Sequence, residues 1–380
     1  MTDAQTTDAQ TADARIDAFS SIVLPAALGL APAPVIPEAE RPADHDARYD
    51  ALGLVQDAVH IAGAGVVRLF CPPPLDLAAA FREGAFRLNG RPARIRRLRR
   101  RRRYAVAELD APTRPERLGF AFRGWETEVA VQSDADCAAF AGRNVLLTLS
   151  RDNPLEWIAD WARFHAAEHG ADAVLFLDNG SACPPEALAE TLAAVPGIAV
   201  VRVARTERPY GPMPLRGSKS RAMFLQTCLL NLARFRWLWR ARAVLQGDID
   251  ELVVSRSGAS VFDAAAAARA GWIKYRGLWR APMGAADAQP RHADHWGVLD
   301  DAKPCPAKYC IVPAGPMRRH SWNVHNLDLV PFSRRFETAD FHYLHCRGVT
   351  TRWKGEKSRT HLADRPPDES ARALLARVLG

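Results

Sequence analysis

The stretch NVLLTLSRDNPLEWIADWARFHAAEHGADAVLFLDNGS, residues 144–181, decides the fold. It opens with the run Asn144-Val145-Leu146-Leu147-Thr148-Leu149, apolar enough for a strand buried on both faces. Asn153 as N-cap, Pro154 at the first helical position and Gly170 just past the end then predict a helix. Inside those limits Leu155, Ile158, Trp161, Ala162 and His165 recur at helical spacing. A second apolar run, Ala173-Val174-Leu175-Phe176-Leu177, follows at once. Strand, helix and strand in this order require parallel pairing through a right-handed crossover.

The same rhythm continues downstream. Pro184-Pro185 opens a helix, residues 198–203 form a third strand, a long helix is expected over about 218–234, and a fourth strand over 242–245. The expectation is therefore α/β: a Rossmann-like, mostly parallel sheet flanked by helices, over residues 141–355. Beyond about 255 the pattern reads as short strands and loops, and residues 356–380 as a tail holding a helix over Glu369–Leu379. Upstream, residues 47–140 read as a small β-rich accessory module. Ala85-Phe86-Arg87-Leu88 and Arg91-Pro92-Ala93-Arg94-Ile95 flank Asn89-Gly90, which supplies the positive φ angles of a type I′ hairpin turn. Residues 1–46, rich in Ala, Asp, Thr and Pro, lack a core-forming pattern and are expected to be a flexible tail.

The chain has 380 residues, with 48% hydrophobic and 25% charged residues, the composition of a folded globular protein. Its seven cysteines are odd in number, scattered and never spaced C-x-x-C, so reduced thiols in a cytoplasmic protein are expected. No apolar run approaches the ~20 residues that cross a bilayer, and the N-terminus lacks the pattern of a secretory signal. The net charge of +8 is concentrated in one run, RPARIRRLRRRRR over residues 91–103, and is not spread as on a nucleic-acid-binding surface.

In an open parallel sheet, ligands bind outside the carboxyl ends of the strands. Here those ends carry Ser150-Arg151-Asp152-Asn153, Asp178-Asn179-Gly180-Ser181 and Gly247-Asp248-Ile249-Asp250-Glu251. Asp248 and Asp250 alternate, so both can face one ion only if the backbone turns at the strand end. Two acids there suit a hard divalent cation, Mn²⁺ or Mg²⁺, bridging the phosphates of a nucleotide sugar. Arg205, Lys219 and Arg221 are candidates for the diphosphate or an anionic acceptor, against the plainer reading of a solvated face. Trp237, Trp239, Trp272 and Trp279 could stack on sugar rings; core packing is the reading favoured for Trp237 and Trp239, and Trp279 is the acceptor-side candidate. His320, His325, His342 and His345 lie near Cys305, Cys310 and Cys346, yet no pair has zinc-finger or ribbon spacing.

Taken together, Glu156-Trp157, Phe176-Leu177-Asp178-Asn179-Gly180-Ser181 and Asp248-Ile249-Asp250-Glu251-Leu252 resemble the GT-A glycosyltransferases, and within them glycosyltransferase family 92 and its family 2-like relatives. Lys308-Tyr309-Cys310-Ile311-Val312-Pro313 and Asp340-Phe341-His342-Tyr343 extend the likeness, which covers about 143–355. Asp152-Asn153 departs from the family's Asn-Glu pair, and its F-G-S-S-G stretch is poorly kept near Tyr275-Arg276-Gly277-Leu278-Trp279. The resemblance implies inverting transfer of a hexose from a UDP-sugar to a carbohydrate acceptor in surface-polysaccharide synthesis. By position, Ser150, Arg151, Asp178, Asn179, Asp248, Lys219 and Arg221 are the donor candidates and Asp248 and Asp250 the metal candidates; the resemblance implies His342 as the C-terminal metal or diphosphate ligand.

Two rival readings have their own signatures. A sugar nucleotidyltransferase would carry a Gly-rich, basic loop after the first strand, where this chain has Ser150-Arg151-Asp152-Asn153-Pro154. A polyanion-binding protein would be organised around the arginines from Arg94 to Arg103, which also suit an anionic membrane at the inner face of the cell. The plain alternative for that run is the exposed edge strand of a sheet, where charge discourages aggregation.

Overall fold

The computed structural model describes residues 12–217, 222–283, 289–299, 305–349 and 365–380. Its first strand, β1 (Asp13–Asp17), lies within the segment expected to be a tail, and pairs in parallel with Val200 to Ala204. That strand has almost no apolar periodicity to betray it. Its place is fixed by polar partners: Arg202 donates to the carboxylate and carbonyl of Asp13, and the Trp237 indole donates to Asp17 at 2.7 Å. Further on, Ile22, Leu24 and Ile36 are buried, so residues 12–46 pack on the body of the protein.

The decisive stretch forms β2 (Asn144–Ser150), α1 (Leu155–His169) and β3 (Ala173–Asp178), with Gly170 closing the helix at φ 68°. Then come α2 (Pro185–Ala193), β4 (Val200–Arg205), α3 (Leu225–Arg236) and β5 (Ala243–Gln246). The helix expected from about 218 begins only at Leu225. Residues 222–224 are not helical, and they pack so closely on Gly211 (φ 115°) that a Cβ there would meet the Ala222 carbonyl. Lys219 and Arg221 lie outside the described residues.

The C-terminal half holds longer strands than its sequence suggests. After β6 (Glu251–Ser255) and α4 (Val261–Ala267) come β7 (Trp272–Ala281), β8 (Lys308–Ile311), β9 (Glu337–Cys346) and α5 (Glu369–Leu379). The main sheet runs β1-β4-β3-β2-β5-β8-β7-β9-β6, with Gly297–Val298 added beside β7. From β1 to β5 the pairing is parallel; β8 is antiparallel to β5 and β7, β9 is parallel to β7, and β6 is antiparallel to β9. The class is α/β, and the sheet is mixed. One apolar core packs α1, α2 and α5 on one face of it, and a second packs α3 and the accessory strands on the other.

Residues 53–133 fold chiefly as strands in two small antiparallel-rich sheets over a third core. Asn89 (φ 49°) and Gly90 (φ 76°) make the expected hairpin turn between Ala85–Leu88 and Arg91–Ala93. This module is anchored by Arg236 at the end of α3. Its buried guanidinium donates to Asp57 (3.0 Å), Asp136 (2.9 Å), Gln132 (3.0 Å) and the Ala18 carbonyl (2.8 Å).

Candidate functional site

The strand directions bring many ends to one edge. The carboxyl ends of β2, β3, β5, β7 and β9 and the starts of β8 and β6 share it. Residues 247–250 carry the chain across that edge from β5 to β6. There the Cys346 amide donates to the Asp250 carbonyl at 2.8 Å, and Glu251 sits in register with His345. The acidic segment is thus held against the end of β9 by ladder bonds.

Asp250, Glu251 and His345 each present a ligand atom, all within 4.8 Å of one another. His345 Nε2 lies 3.2 Å from Asp250 Oδ2, and its Nδ1 3.7 Å from Cys305 Sγ. The imidazole stacks on Trp279 with centroids 3.8 Å apart and planes 16° from parallel. On the other side, buried Lys308 contacts Glu251 at 2.9 Å and Asp248 at 3.2 Å. Asp250 and Glu251 are buried, whereas the Asp248 side chain is about a third exposed (31%).

The electrostatics follow from this packing. Burial alone would lower His345, but Asp250 and the Cys305 hydrogen bond overcome it and raise the imidazole to about 10. Burial pushes the Glu251 carboxyl up, against the pull of Lys308. Burial likewise disfavours charge on Lys308, yet Asp248 and Glu251 together hold it above its ordinary range. Three carboxylates therefore face two cations. Binding a divalent ion at Asp250 and His345 would release the imidazole proton.

The residues expected from sequence divide into two groups. Asp248 and Asp250 are at the cluster. His342 is not: it lies three residues before His345 on the regular strand β9, so its side chain takes the opposite face. There burial lowers it to about 4, with Arg256 and Arg280 adding to the effect. The histidine facing the acids is His345. Trp279 is at the site as well, with one face covered by His345.

Ser150, Asp178 and Asn179 reach the same sheet edge but bond within their own loops and to the end of β4 and the loop after it. Asn153 donates to Ser150 (2.7 Å), and the Ser181 amide and hydroxyl donate to Asp178 Oδ1 (3.0 and 2.6 Å). Arg205 sits 3.5 Å from Asp178 Oδ2, and Asn179 donates to the carbonyls of Thr206 and Arg208. Burial raises the Asp178 carboxyl. Arg151 is exposed and pairs with Asp152 at 3.3 Å. Lys308, Cys305 and Glu251 complete the cluster without having been singled out as ligands. The signal for Glu251 was its place beside Asp250 at the start of an apolar strand.

The fold and site define an α/β protein with an acid–histidine cluster at the carboxyl edge of its sheet. No protein-family model matches the chain, and no curated protein matches its sequence. Among solved structures, the mannosyltransferase Ktr4p from S. cerevisiae in complex with GDP is similar over 37% of this chain and 41% of its own, at 13% identity and TM-score 0.26. The chain thus spans less than half of that protein. The galactosyltransferase LgtC, in complex with donor and acceptor sugar analogs, is similar over 62% of this chain and 96% of its own, at 12% identity and TM-score 0.32. A mycobacterial protein is similar over 46% and 53%, at 18% identity and TM-score 0.22. Scores this low do not establish a common fold. Among the described residues no helix is long and apolar enough to cross a membrane.

Proposed function

We propose that the chain is a glycosyltransferase of the GT-A kind, moving a hexose from a nucleotide-sugar donor, of UDP type, to a carbohydrate acceptor. The observation that carries this reading is the cluster of Asp250, Glu251 and His345 beside part-exposed Asp248, at the sheet edge where such folds bind ligands. The donor set fits a divalent cation. Carboxylates favour Mg²⁺ or Mn²⁺ and an imidazole favours transition ions, so Mn²⁺ meets both. Asp250 and His345 would hold it, with Asp248 reaching from the open side. When bound, such an ion offsets charge on a departing diphosphate.

The remaining residues prepare the site. Trp279 and Cys305 fix the ring of His345 in plane and direction. Lys308 offsets the charge of Glu251 and positions Asp248 from below. Inversion at the anomeric carbon and a role in surface-polysaccharide synthesis extend the proposal on the family likeness. The test is incubation with UDP- and GDP-hexoses, with Mn²⁺ or with EDTA, measuring release of nucleoside diphosphate. Metal-dependent release from one donor is expected. Absence of release from every donor, in protein shown to bind no Mn²⁺, rejects the reading.

A further inference from the structure

The strand Ile95–Arg100 is the outer edge of the five-stranded accessory sheet. Across that sheet Arg97, Glu108 and Arg68 are paired in register, as are Arg99, Val106 and Phe70, so these arginines share one face. Glu108 is buried and already bonds Arg68 at 3.0 Å. Arg97 and Arg101 are exposed, Arg99 is half-exposed, and none of the three forms an ion pair among the described residues. Like charges this close repel one another and await an anionic partner.

A second, independent feature is joined to the chain just past this strand. The loop after Trp322 exposes Leu329 (87%) and Phe332 (82%), the two most exposed large apolar side chains among the described residues. Both have positive φ, 60° and 50°, a conformation that side-chain-bearing residues rarely adopt. The backbone thus holds two apolar groups outward against its own preference. Exposed Arg334 and Arg335 follow. The loop is tied to the arginine strand: Arg103 donates to Asn323 Oδ1 (3.2 Å), and Asn323 Nδ2 donates to Asp328 (3.1 Å). Burial of Tyr104, whose hydroxyl bonds Ser321 at 2.8 Å, fixes the same junction.

We propose that this surface docks on an anionic lipid membrane, with Leu329 and Phe332 entering the headgroup boundary and Arg97, Arg99, Arg101, Arg334 and Arg335 against acidic headgroups. A soluble polyanion would use the arginines but would have no place for two protruding apolar groups. A bilayer interface takes both, and basic residues beside apolar ones are the composition of an interfacial anchor. The proposal is independent of the reaction at the acid–histidine cluster.

The test is co-sedimentation of the full chain with phosphatidylcholine vesicles, with and without phosphatidylserine, at low and high salt. Binding to the acidic vesicles and its weakening by salt are expected. Changing Arg97, Arg99 and Arg101 together to serine should weaken binding about a hundredfold and flatten the salt dependence, while lysine at the same positions should largely restore it. Leu329→Gly with Phe332→Gly should weaken binding about tenfold or more. Glycine accepts those φ angles, so a melting temperature kept or raised separates this loss from unfolding. No binding of the parent to acidic vesicles, or glycine variants that bind as the parent does, overturns the proposal. So does capture by a sulfated polysaccharide in place of vesicles.

Discussion

The imidazole of His345 lies flat on Trp279, 3.8 Å away, while its Nε2 points at Asp250 from 3.2 Å. The ring therefore has a single orientation, fixed by stacking on one face and by partners at both nitrogens. Asp250→Asn keeps the shape and removes the charge, so the fold should survive and Mn²⁺-supported donor turnover should fall by ~100-fold or more. His345→Ala should behave similarly, whereas His342→Ala should leave Mn²⁺ binding intact. Calorimetric titration with Mn²⁺ separates the two histidines. Loss of Mn²⁺ binding in His342→Ala but not His345→Ala would reverse the assignment.

Deleting residues 1–24 should destabilise the protein, contrary to what a flexible tail would do. The deletion removes β1, the bond from Trp237 to Asp17 and the buried Ile22 and Leu24. Burial of two such side chains is worth about 3–6 kcal/mol. A denaturant midpoint unchanged by the deletion would refute this account of the N-terminal segment.

Arg236→Ala should cost about 3–5 kcal/mol, because it strands the buried Asp57 without its cation. Burial already raises the Asp57 carboxyl to about 6, against the pull of Arg236 and of the Ser20 and Ala58 amides. Urea unfolding of the variant measures the loss. A change below 1 kcal/mol would mean that the module is held mainly by its apolar contacts.

Acid should weaken the fold through two buried histidines. Burial lowers His165 to about 3 and His295 to about 4, from an unfolded value near 6.5. Below pH 6.5 the unfolded chain takes up protons that these folded groups refuse, so stability falls with pH until the folded values are reached. The two together should remove about 4 kcal/mol between pH 8 and pH 5. His345, Glu251 and Asp57 work the other way: their raised folded values add stability as the pH falls through this window, so the two histidines' share is read as a difference. Urea unfolding at pH 8 and 5 of the parent and of a variant with His165→Gln and His295→Gln tests this: the variant should lose about 4 kcal/mol less on acidification, and an equal change in both contradicts it.

What the sequence made legible depended on periodicity. The strands and helix of residues 144–178 carry apolar spacing over long windows, and helix Glu369–Leu379 has both an acidic N-cap residue and a repeating apolar face. β1 was invisible because Arg202 and Trp237, some two hundred residues away, hold it by polar contacts. Choosing between His342 and His345 needed the register of β9 against β6, which spacing alone does not supply. Lys308 reads as an ordinary residue at the start of a strand until the fold sets it between Asp248 and Glu251.

The pairing of Asp13 with Val200 also sets an order of events during synthesis. β1 is synthesised well before its neighbour β4, which does not exist until nearly two hundred residues later. At translation rates of about 5–20 residues per second, the N-terminal strand waits roughly ten seconds or more for its partner. Through that interval the segment is exposed chain, open to proteases and to chaperones. Its charged, weakly apolar composition is what a segment that must wait in water requires. The edge of the sheet is then completed by a segment older than the strands that template it, after they have formed.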